Sequence, residues 1–145
     1  MYERSKLIRF AHCDPAGIVF YPRYVELCNE VVEDWFAEGL GVGFAEMHQE
    51  RRLGVPAVHL DVTFVAPSRI GDVLGFRLCV TDLGRTSATL RIVAHCGEED
   101  RVRFGLKIVQ ISLDTGRPVP WDEEWQVRLR TFEAVAAGRD PGGDR

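Results

Sequence analysis

The chain has 145 residues and a formal net charge of −4 at pH 7, with its 18 basic side chains spread along the sequence. This length fits one domain with a substantial hydrophobic core, and the scattered basic residues argue against a nucleic-acid-binding surface. No apolar run approaches the length of a membrane span, and the first ten residues are charged where a secretory signal would be apolar. We therefore expect a cytoplasmic protein that binds neither nucleic acid nor membranes.

The cysteines show no CxxC spacing and sit in or beside apolar patterns: Cys13, Cys28, Cys79 and Cys96. This distribution predicts reduced thiols in the core of a cytosolic protein. His12 precedes Cys13, a pair that suggests a metal site or a cysteine–histidine nucleophile. Neighbouring side chains of an extended segment point apart, however, and no second ligand pair is present. We therefore predict no metal and no cofactor.

The first predicted elements are a strand over residues 2–11 and a long amphipathic helix that begins at Pro22. Proline is favoured at the first helical position, because the N–H that it lacks would be unpaired there. We expect the helix to end near Gly39 or Gly41. One face is predicted to be buried, since apolar residues recur at helical spacing: Val25, Cys28, Val32, Trp35 and Phe36.

After an irregular passage through Arg52, the apolar period changes from helical to alternating. This change predicts four strands joined as antiparallel hairpins. Their apolar positions are Val58, Leu60, Val62 and Phe64; Leu74, Phe76, Leu78 and Val80; Ala88, Leu90, Ile92 and Ala94; and Val102, Phe104, Leu106 and Ile108. The phase then shifts to Val109 and Ile111, which predicts a bulge.

The C-terminal part is predicted to leave the sheet at the prolines 118 and 120 and to form one short helix. Acidic residues at its start are favourable to the helix dipole. Its shared apolar face is Trp125, Leu129, Phe132 and Ala136. We expect residues 1–136 to form a single domain and residues 137–145 to be a disordered tail, because the last segment has no apolar content.

A turn-rich segment holding Asp14, Pro15 and Gly17 lies just before the long helix. The first N–H groups of a helix lack intrahelical partners and carry the positive end of its dipole, so they stabilise a developing oxyanion. An ionised aspartate beside them serves as a nucleophile towards an activated acyl group such as a thioester, or activates water. The alternative, favoured by residue type alone, is that Asp14 only stabilises the turn, with its side chain accepting a local N–H.

The run H-C-D-P-A-G-I-V-F-Y-P-x-Y, starting at His12, resembles the signature of the 4-hydroxybenzoyl-CoA thioesterase family of hotdog-fold enzymes. About a dozen adjacent positions match in kind, which is more specific than a short motif with wild cards. The resemblance implies an α+β hotdog fold, in which a curved antiparallel sheet wraps around a long central helix. It also implies acyl-CoA hydrolysis to the free acid and CoA.

Five residues are candidates for the site, four of them through the resemblance. Asp14 matches the catalytic aspartate, and Tyr21 matches the position whose backbone N–H polarises the thioester carbonyl. Asn29 stands where the family carries an aspartate that meets the substrate hydroxyl, and an amide both donates and accepts. Arg85 lies where related enzymes contact the nucleotide phosphates, and His59 is a candidate for substrate contact. Each also has an ordinary structural interpretation, as a turn, helix-surface or strand-surface residue.

The family places its active site at a dimer interface. Pairing of edge strands across a two-fold axis also satisfies the unpaired backbone N–H and C=O groups of an open sheet. We expect a homodimer and favour a homotetramer, with the strand His59 to Phe64 facing the Asp14 loop of the partner. An aromatic acyl-CoA is the favoured substrate, of the 4-hydroxybenzoyl or benzoyl type. The alternatives are a short- or medium-chain aliphatic acyl-CoA, or a protein that binds acyl-CoA without cleaving it.

Overall fold

The computed structural model of the chain describes residues 1–134. The predicted order of one strand, a long helix, four strands and a final helix is confirmed. In chain order the elements are β1 (Tyr2–Leu7), a 3₁₀ turn (Phe10–His12), α1 (Pro22–Asp34), a π-helical turn (Trp35–Leu40), α2 (Phe44–Gln49), β2 (Leu53–Gly54), β3 (Ala57–Phe64), β4 (Val73–Leu83), β5 (Ser87–Cys96), β6 (Glu99–Val109), β7 (Ile111–Ser112) and α3 (Glu123–Arg130).

Five strands form one antiparallel sheet in the order β1-β4-β5-β6-β3, so β1 and β3 are its edges. The sheet covers the buried face of α1, which is the hotdog arrangement that the sequence predicts. β2 and β7 form a separate two-stranded sheet beside it. Within residues 1–134, no helix is long and apolar enough to cross a membrane.

The long helix begins and ends where the sequence predicts. Pro22 is its first residue, and the helical path continues through the π-helical turn to Gly41, which adopts a left-handed conformation with φ of 82°. Four of the five residues predicted for the buried face are buried: Cys28, Val32, Trp35 and Phe36. The face is wider than predicted, because Tyr24, Leu27 and Val31 are buried as well, and Val25 is only half-buried and lines a cleft.

The core lies between α1 and the three central strands of the sheet. Every alternating apolar residue predicted for β4, β5 and β6 is buried, with exposed fractions of 0 to 8%. The edge strand β3 differs, because the prediction of a half-buried strand is not met within one chain. Val58, Leu60 and Phe64 are 58, 40 and 51% exposed.

The structure differs from the sequence predictions at three places, each for a local reason. The first strand stops at Leu7, and the chain then forms the 3₁₀ turn, in which the Arg9 N–H donates to Nδ1 of His12. The irregular passage contains α2, which spans fewer than two turns and so gives a weak periodic signal. No bulge occurs at Val109, because β6 ends there and the chain leaves the sheet at the buried Gln110.

The final helix forms as predicted. The Asp122 side chain caps it by accepting the Trp125 N–H at 2.8 Å, and Trp125 and Leu129 are buried. Phe132 packs against the core. The predictions for Ala136 and for the tail 137–145 concern positions outside the described residues.

Candidate active site

The segment between the 3₁₀ turn and α1 forms a small hairpin that presents Asp14. Cys13 and Val19 form an isolated antiparallel bridge, and the Asp14 N–H donates to the Ile18 carbonyl at 2.9 Å. The Gly17 N–H returns to the Asp14 carbonyl at 2.9 Å, with Gly17 at φ of 81°. Glycine is suited to this left-handed position, so the sequence closes the turn without strain.

The two carboxylate oxygens of Asp14 differ in their hydrogen bonding. Oδ1 accepts the Ala16 N–H at 2.9 Å, which is the turn role that the sequence offered as the alternative. Oδ2 has no hydrogen-bond partner within residues 1–134. The half-buried carboxylate lines a shallow cleft with Cys13, Phe20 and Arg23. The turn bond orients the carboxylate and leaves an oxygen available for chemistry.

The start of α1 presents the backbone N–H of Tyr21. Pro22 has no N–H, and the N–H groups of Arg23 and Tyr24 donate to the carbonyls of Phe20 and Tyr21 at 2.9 and 3.2 Å. The Tyr21 N–H finds no acceptor in the part of the chain that the structure describes. It lies at the positive end of the helix dipole, so it is suited to bind a negatively charged oxygen.

Asn29 lies on the wall of a cleft that has a volume of about 700 Å³ and runs between α1 and the strands β3 and β6. Most of its lining is apolar, including Val25, Leu60 and Leu106. The Asn29 amide is exposed to this cleft in the single chain. Cys28, the next residue along the helix, is 2% exposed, and burial raises the pKa of its thiol to about 12.

His59 and Arg85 lie apart from these clefts within one chain. The His59 side chain is 68% exposed, and its Nε2 lies 3.5 Å from Asp61 on the outer face of the sheet. Arg85 is exposed in the turn between β4 and β5. The single chain therefore groups Asp14 with Tyr21 around one hairpin and places Asn29 further along the same helix. Contact of β3 with a partner's Asp14 loop stays a prediction.

Sequence reasoning missed the support beneath the Asp14 hairpin, which is the loop Pro67–Asp72. The Val19 N–H donates to the Ser68 carbonyl at 2.9 Å, and the buried Tyr24 hydroxyl accepts the Ser68 N–H at 3.2 Å. Tyr24 ends the family-like run, which was its only signal in the sequence.

Arg101 also supports this loop, and the sequence did not predict this role. One guanidinium nitrogen, Nη1, lies 3.1 Å from the Pro67 carbonyl, 3.0 Å from the Ser68 Oγ and 2.9 Å from the Asp72 carboxylate. Donation from the Arg69 N–H, and then from Arg101, lowers the pKa of Asp72. Arg101 and Ser68 are more than 30 residues apart in the chain, so no local sequence pattern predicts their contact.

Comparisons with known proteins show which proteins this chain is similar to. A 1,4-dihydroxy-2-naphthoyl-CoA hydrolase of Synechococcus elongatus is 32% identical over 85 residues, which cover 58% of this chain and 62% of that protein. A 4-hydroxybenzoyl-CoA thioesterase of a Pseudomonas species is 31% identical over 85 residues, covering 58% of this chain and 60% of that protein. The matched stretches thus span less than two thirds of either relative.

The crystal structure of a 1,4-dihydroxy-2-naphthoyl-CoA thioesterase from Synechocystis superposes with a TM-score of 0.81. The match covers 89% of this chain and 95% of that one, at 21% sequence identity, and it shows the shared fold. The family model of the thioesterase-like superfamily matches residues 8–129, a range that contains the Asp14 hairpin, α1 and the sheet strands β3 to β6. This chain therefore belongs to the thioesterase-like superfamily.

Proposed function

We propose that this protein hydrolyses an acyl-CoA thioester to the free carboxylic acid and CoA. The observation that carries the proposal is the segment from Asp14 to Tyr21. Within residues 1–134, it places a carboxylate oxygen and a helix-start N–H, both without a hydrogen-bond partner, at the two ends of one short hairpin. A thioester carbonyl needs these two groups, a negatively charged attacking or proton-accepting group and a donor for the oxyanion.

In the proposed reaction the Tyr21 N–H, assisted by the helix dipole, stabilises the negative charge that develops on the carbonyl oxygen. Asp14 acts in one of two ways. It attacks the carbonyl carbon and expels the CoA thiolate, forming a mixed anhydride that water then opens, or it takes a proton from the water that attacks. Both routes end with the acid and free CoA and use no metal or redox cofactor.

Hydrolysis in water enriched in the heavy oxygen isotope tests whether a mixed anhydride with Asp14 forms. If water opens a mixed anhydride at the Asp14 carbon, mass spectrometry finds the label in Asp14 after turnover. Direct attack of water on the thioester leaves the Asp14 carboxylate unlabelled, and all of the label appears in the acid. Label in Asp14 therefore establishes the anhydride route.

For the acyl group, we propose a neutral hydroxylated aromatic ring. Two of the relatives act, by their names, on 1,4-dihydroxy-2-naphthoyl-CoA and on 4-hydroxybenzoyl-CoA. The cleft beside α1 supports this class, because its lining is mostly apolar and Asn29 is a polar group on its wall. An amide both donates to and accepts from a ring hydroxyl.

We also propose that the site is completed by a second copy of the chain. The edge strand β3 carries exposed apolar residues, and Leu60 of this strand already lines the cleft next to Asn29. Pairing of β3 with the same strand of a partner would cover these residues and close the cleft on one side. A homotetramer of two such dimers and a cytoplasmic location belong to the same proposal.

A thiol-release assay tests the function. The purified protein is offered 4-hydroxybenzoyl-, 1,4-dihydroxy-2-naphthoyl-, benzoyl-, butyryl- and octanoyl-CoA, and kcat/KM is compared. We expect the hydroxylated aromatic esters to be preferred and Asn29→Ala to reduce that preference, with Asn29→Asp as the matched variant that keeps an acceptor. If every ester binds and none is cleaved, the protein is an acyl-CoA-binding protein. Preference for the aliphatic esters overturns the substrate class alone.

A further inference from the structure

The turn between β4 and β5, which carries Arg85, is held by hydrogen bonds from a distant part of the chain. The Trp121 N–H donates to the Arg85 carbonyl at 3.0 Å, and the Gln110 N–H donates to the Thr86 carbonyl at 2.8 Å. The Trp121 indole Nε1–H donates to the Ser87 carbonyl at 2.9 Å. Three consecutive carbonyls of this turn are therefore fixed from outside it.

The residues that hold the turn are themselves immobilised. Trp121 is 2% exposed, and its ring packs against Trp125 with centroids 6.0 Å apart. Gln110 is 1% exposed, and its Nε2 donates to the carbonyls of Val119 and Pro120 at 3.1 Å each. Gln110 thus fixes the segment that leads into Trp121, and the two residues act as one buried support for the turn.

The turn is also tight within itself. The Gly84 N–H donates to the Ser87 carbonyl at 2.9 Å, and a Cβ on Gly84 would lie 2.5 Å from the Ser87 Oγ. The Ser87 carbonyl therefore accepts from both Gly84 and Trp121, one donor for each lone pair.

The Arg85 side chain contrasts with its backbone. It is exposed, and its guanidinium has no hydrogen-bond or ion-pair partner within residues 1–134. A free cation on an immobile backbone is preorganised for an anion, because binding then costs only the ordering of one side chain. A guanidinium also suits a phosphate through paired N–H donors.

We infer that Trp121 is a positioning residue that acts through Arg85 to set the affinity for the phosphate-bearing part of the thioester substrate. This inference rests on the proposed function, since it assumes that the substrate is a CoA ester. The backbone N–H of Trp121 holds the Arg85 carbonyl, and its indole N–H holds the Ser87 carbonyl. These two hydrogen bonds fix the backbone from which the Arg85 side chain extends. Loosening the turn would let the guanidinium leave the geometry in which it meets the phosphates.

The test compares two thioesters of the same acyl group, 4-hydroxybenzoyl-CoA and 4-hydroxybenzoyl-N-acetylcysteamine, which lacks the nucleotide. We expect Arg85→Ala to raise KM for the CoA ester about tenfold, as expected for one lost charge-assisted contact. Trp121→Phe, which removes the indole donor, should raise the same KM about threefold. Because Trp121 acts through Arg85, the double variant should match Arg85→Ala. The changes should fall on KM of the CoA ester, with kcat kept.

Trp35→Phe is the matched control, because Trp35 is equally buried and its ring packs against Phe36 and Phe132 rather than against Trp121. It should keep the wild-type ratio of the two kcat/KM values. If Trp121→Phe does not fold, Trp121→benzothienylalanine replaces the indole N–H by sulfur at nearly constant shape. Additive effects in the double variant, or equal changes with both thioesters, overturn the inference.

Different experimental results would contradict the inference and the proposed function. If the wild type cleaves both thioesters and Arg85→Ala changes neither, the inference falls and the function stands. If the wild type cleaves neither, the proposed function falls and takes the inference with it.

Discussion

At the level of single residues, the two interpretations of Asp14 are compatible. One carboxylate oxygen accepts the Ala16 N–H and the other is open. A turn aspartate is normally a solvent-exposed structural residue, whereas this one lies in a hairpin that leads directly to the Tyr21 N–H, which has no acceptor in the described part of the chain. The turn bond orients the group that the proposed reaction uses.

Asp14→Asn separates the two roles. The amide oxygen keeps the acceptor for the Ala16 N–H, while the charge and the attacking oxygen are lost. We expect kcat to fall by on the order of a thousandfold with KM nearly unchanged, because the carboxylate contributes to the transition state rather than to binding. Steady-state kinetics on the preferred ester measures this, and circular dichroism checks that the hairpin variant is folded. A variant with near-normal turnover would remove Asp14 from the mechanism.

Cys28 predicts a pH dependence of stability. Burial raises the pKa of its thiol from the ordinary value of 9.0 to about 12, so the folded protein holds this proton while the unfolded chain releases it. Stability is therefore fully present below pH 9 and is lost as the pH rises from 9 towards 12, by up to about 1.4 kcal/mol per pH unit.

Urea unfolding between pH 8 and pH 10.5 measures this slope. Cys28→Ala should lower stability at every pH through lost packing and should have a shallower slope above pH 9. Iodoacetamide gives an independent measurement, because the half-buried Cys13 and Cys96 should be alkylated well before Cys28. Equal slopes for the two proteins would contradict the prediction.

Among the structural elements, the loop Pro67–Asp72 has the least expected role. It joins the edge strand β3 to the central strand β4, and it also supports the Asp14 hairpin through the Val19–Ser68 hydrogen bond and the Ile18–Arg69 bridge. Arg101, which is 13% exposed at its side chain, ties this loop to β6. The candidate site therefore depends on a contact between the sheet and a loop.

Arg101→Met should lower the free energy of unfolding at pH 7 by about 2 kcal/mol, because it leaves the carbonyl, hydroxyl and carboxylate of the loop without their shared donor. The pKa of Asp72 is lowered in the folded state, so its contribution is present above the unfolded value and is lost as the pH falls through the folded value. The difference between the wild type and the variant should therefore shrink in acid.

Chemical denaturation at pH 7 and at pH 3 tests this, and hydrogen exchange at the Val19 amide reports on the hairpin. Arg101→Lys is the matched control, because it keeps the charge but cannot reproduce the forked donor geometry. It should lose less stability than the methionine variant. A Val19 amide that exchanges as slowly in Arg101→Met as in the wild type would argue against a supporting role for the loop.

For the whole molecule, the feature that most needs a partner is the open edge at β3. Its Val58, Leu60 and Phe64 remain 40 to 58% exposed, whereas the corresponding apolar residues of the central strands are buried. An unpaired strand with exposed apolar side chains is a template for pairing with another chain. A second copy is the simplest occupant, because the same strand is then covered on both subunits.

Leu60→Arg should dissociate the proposed dimer into monomers, since it places a charge at the proposed interface and, across a two-fold axis, brings two like charges close together. Val127→Arg is the control, because Val127 is a 64% exposed residue of α3, away from β3. Sedimentation equilibrium measures the masses. Unchanged association of Leu60→Arg would place the interface elsewhere on the molecule.

The sequence by itself determined the features that depend on a few neighbouring residues. Pro22 and Gly41 mark the two ends of the long helical segment, alternation of apolar residues marks β4, β5 and β6, and acidic residues mark the start of α3. The resemblance carried by the run from His12 identified the fold and the family. These signals are local, because backbone preferences and apolar periodicity act within one or two turns or strands.

The tertiary structure decided what depends on contacts between distant parts of the chain. The support of the Asp14 hairpin by Ser68 and Arg101, the hold of Trp121 on the Arg85 turn and the exposure of β3 belong to this class. Apolar periodicity indicates which face of an element is buried, but it does not specify which element covers it. The chain path sets that choice, and it brings polar groups more than 30 residues apart within hydrogen-bonding distance.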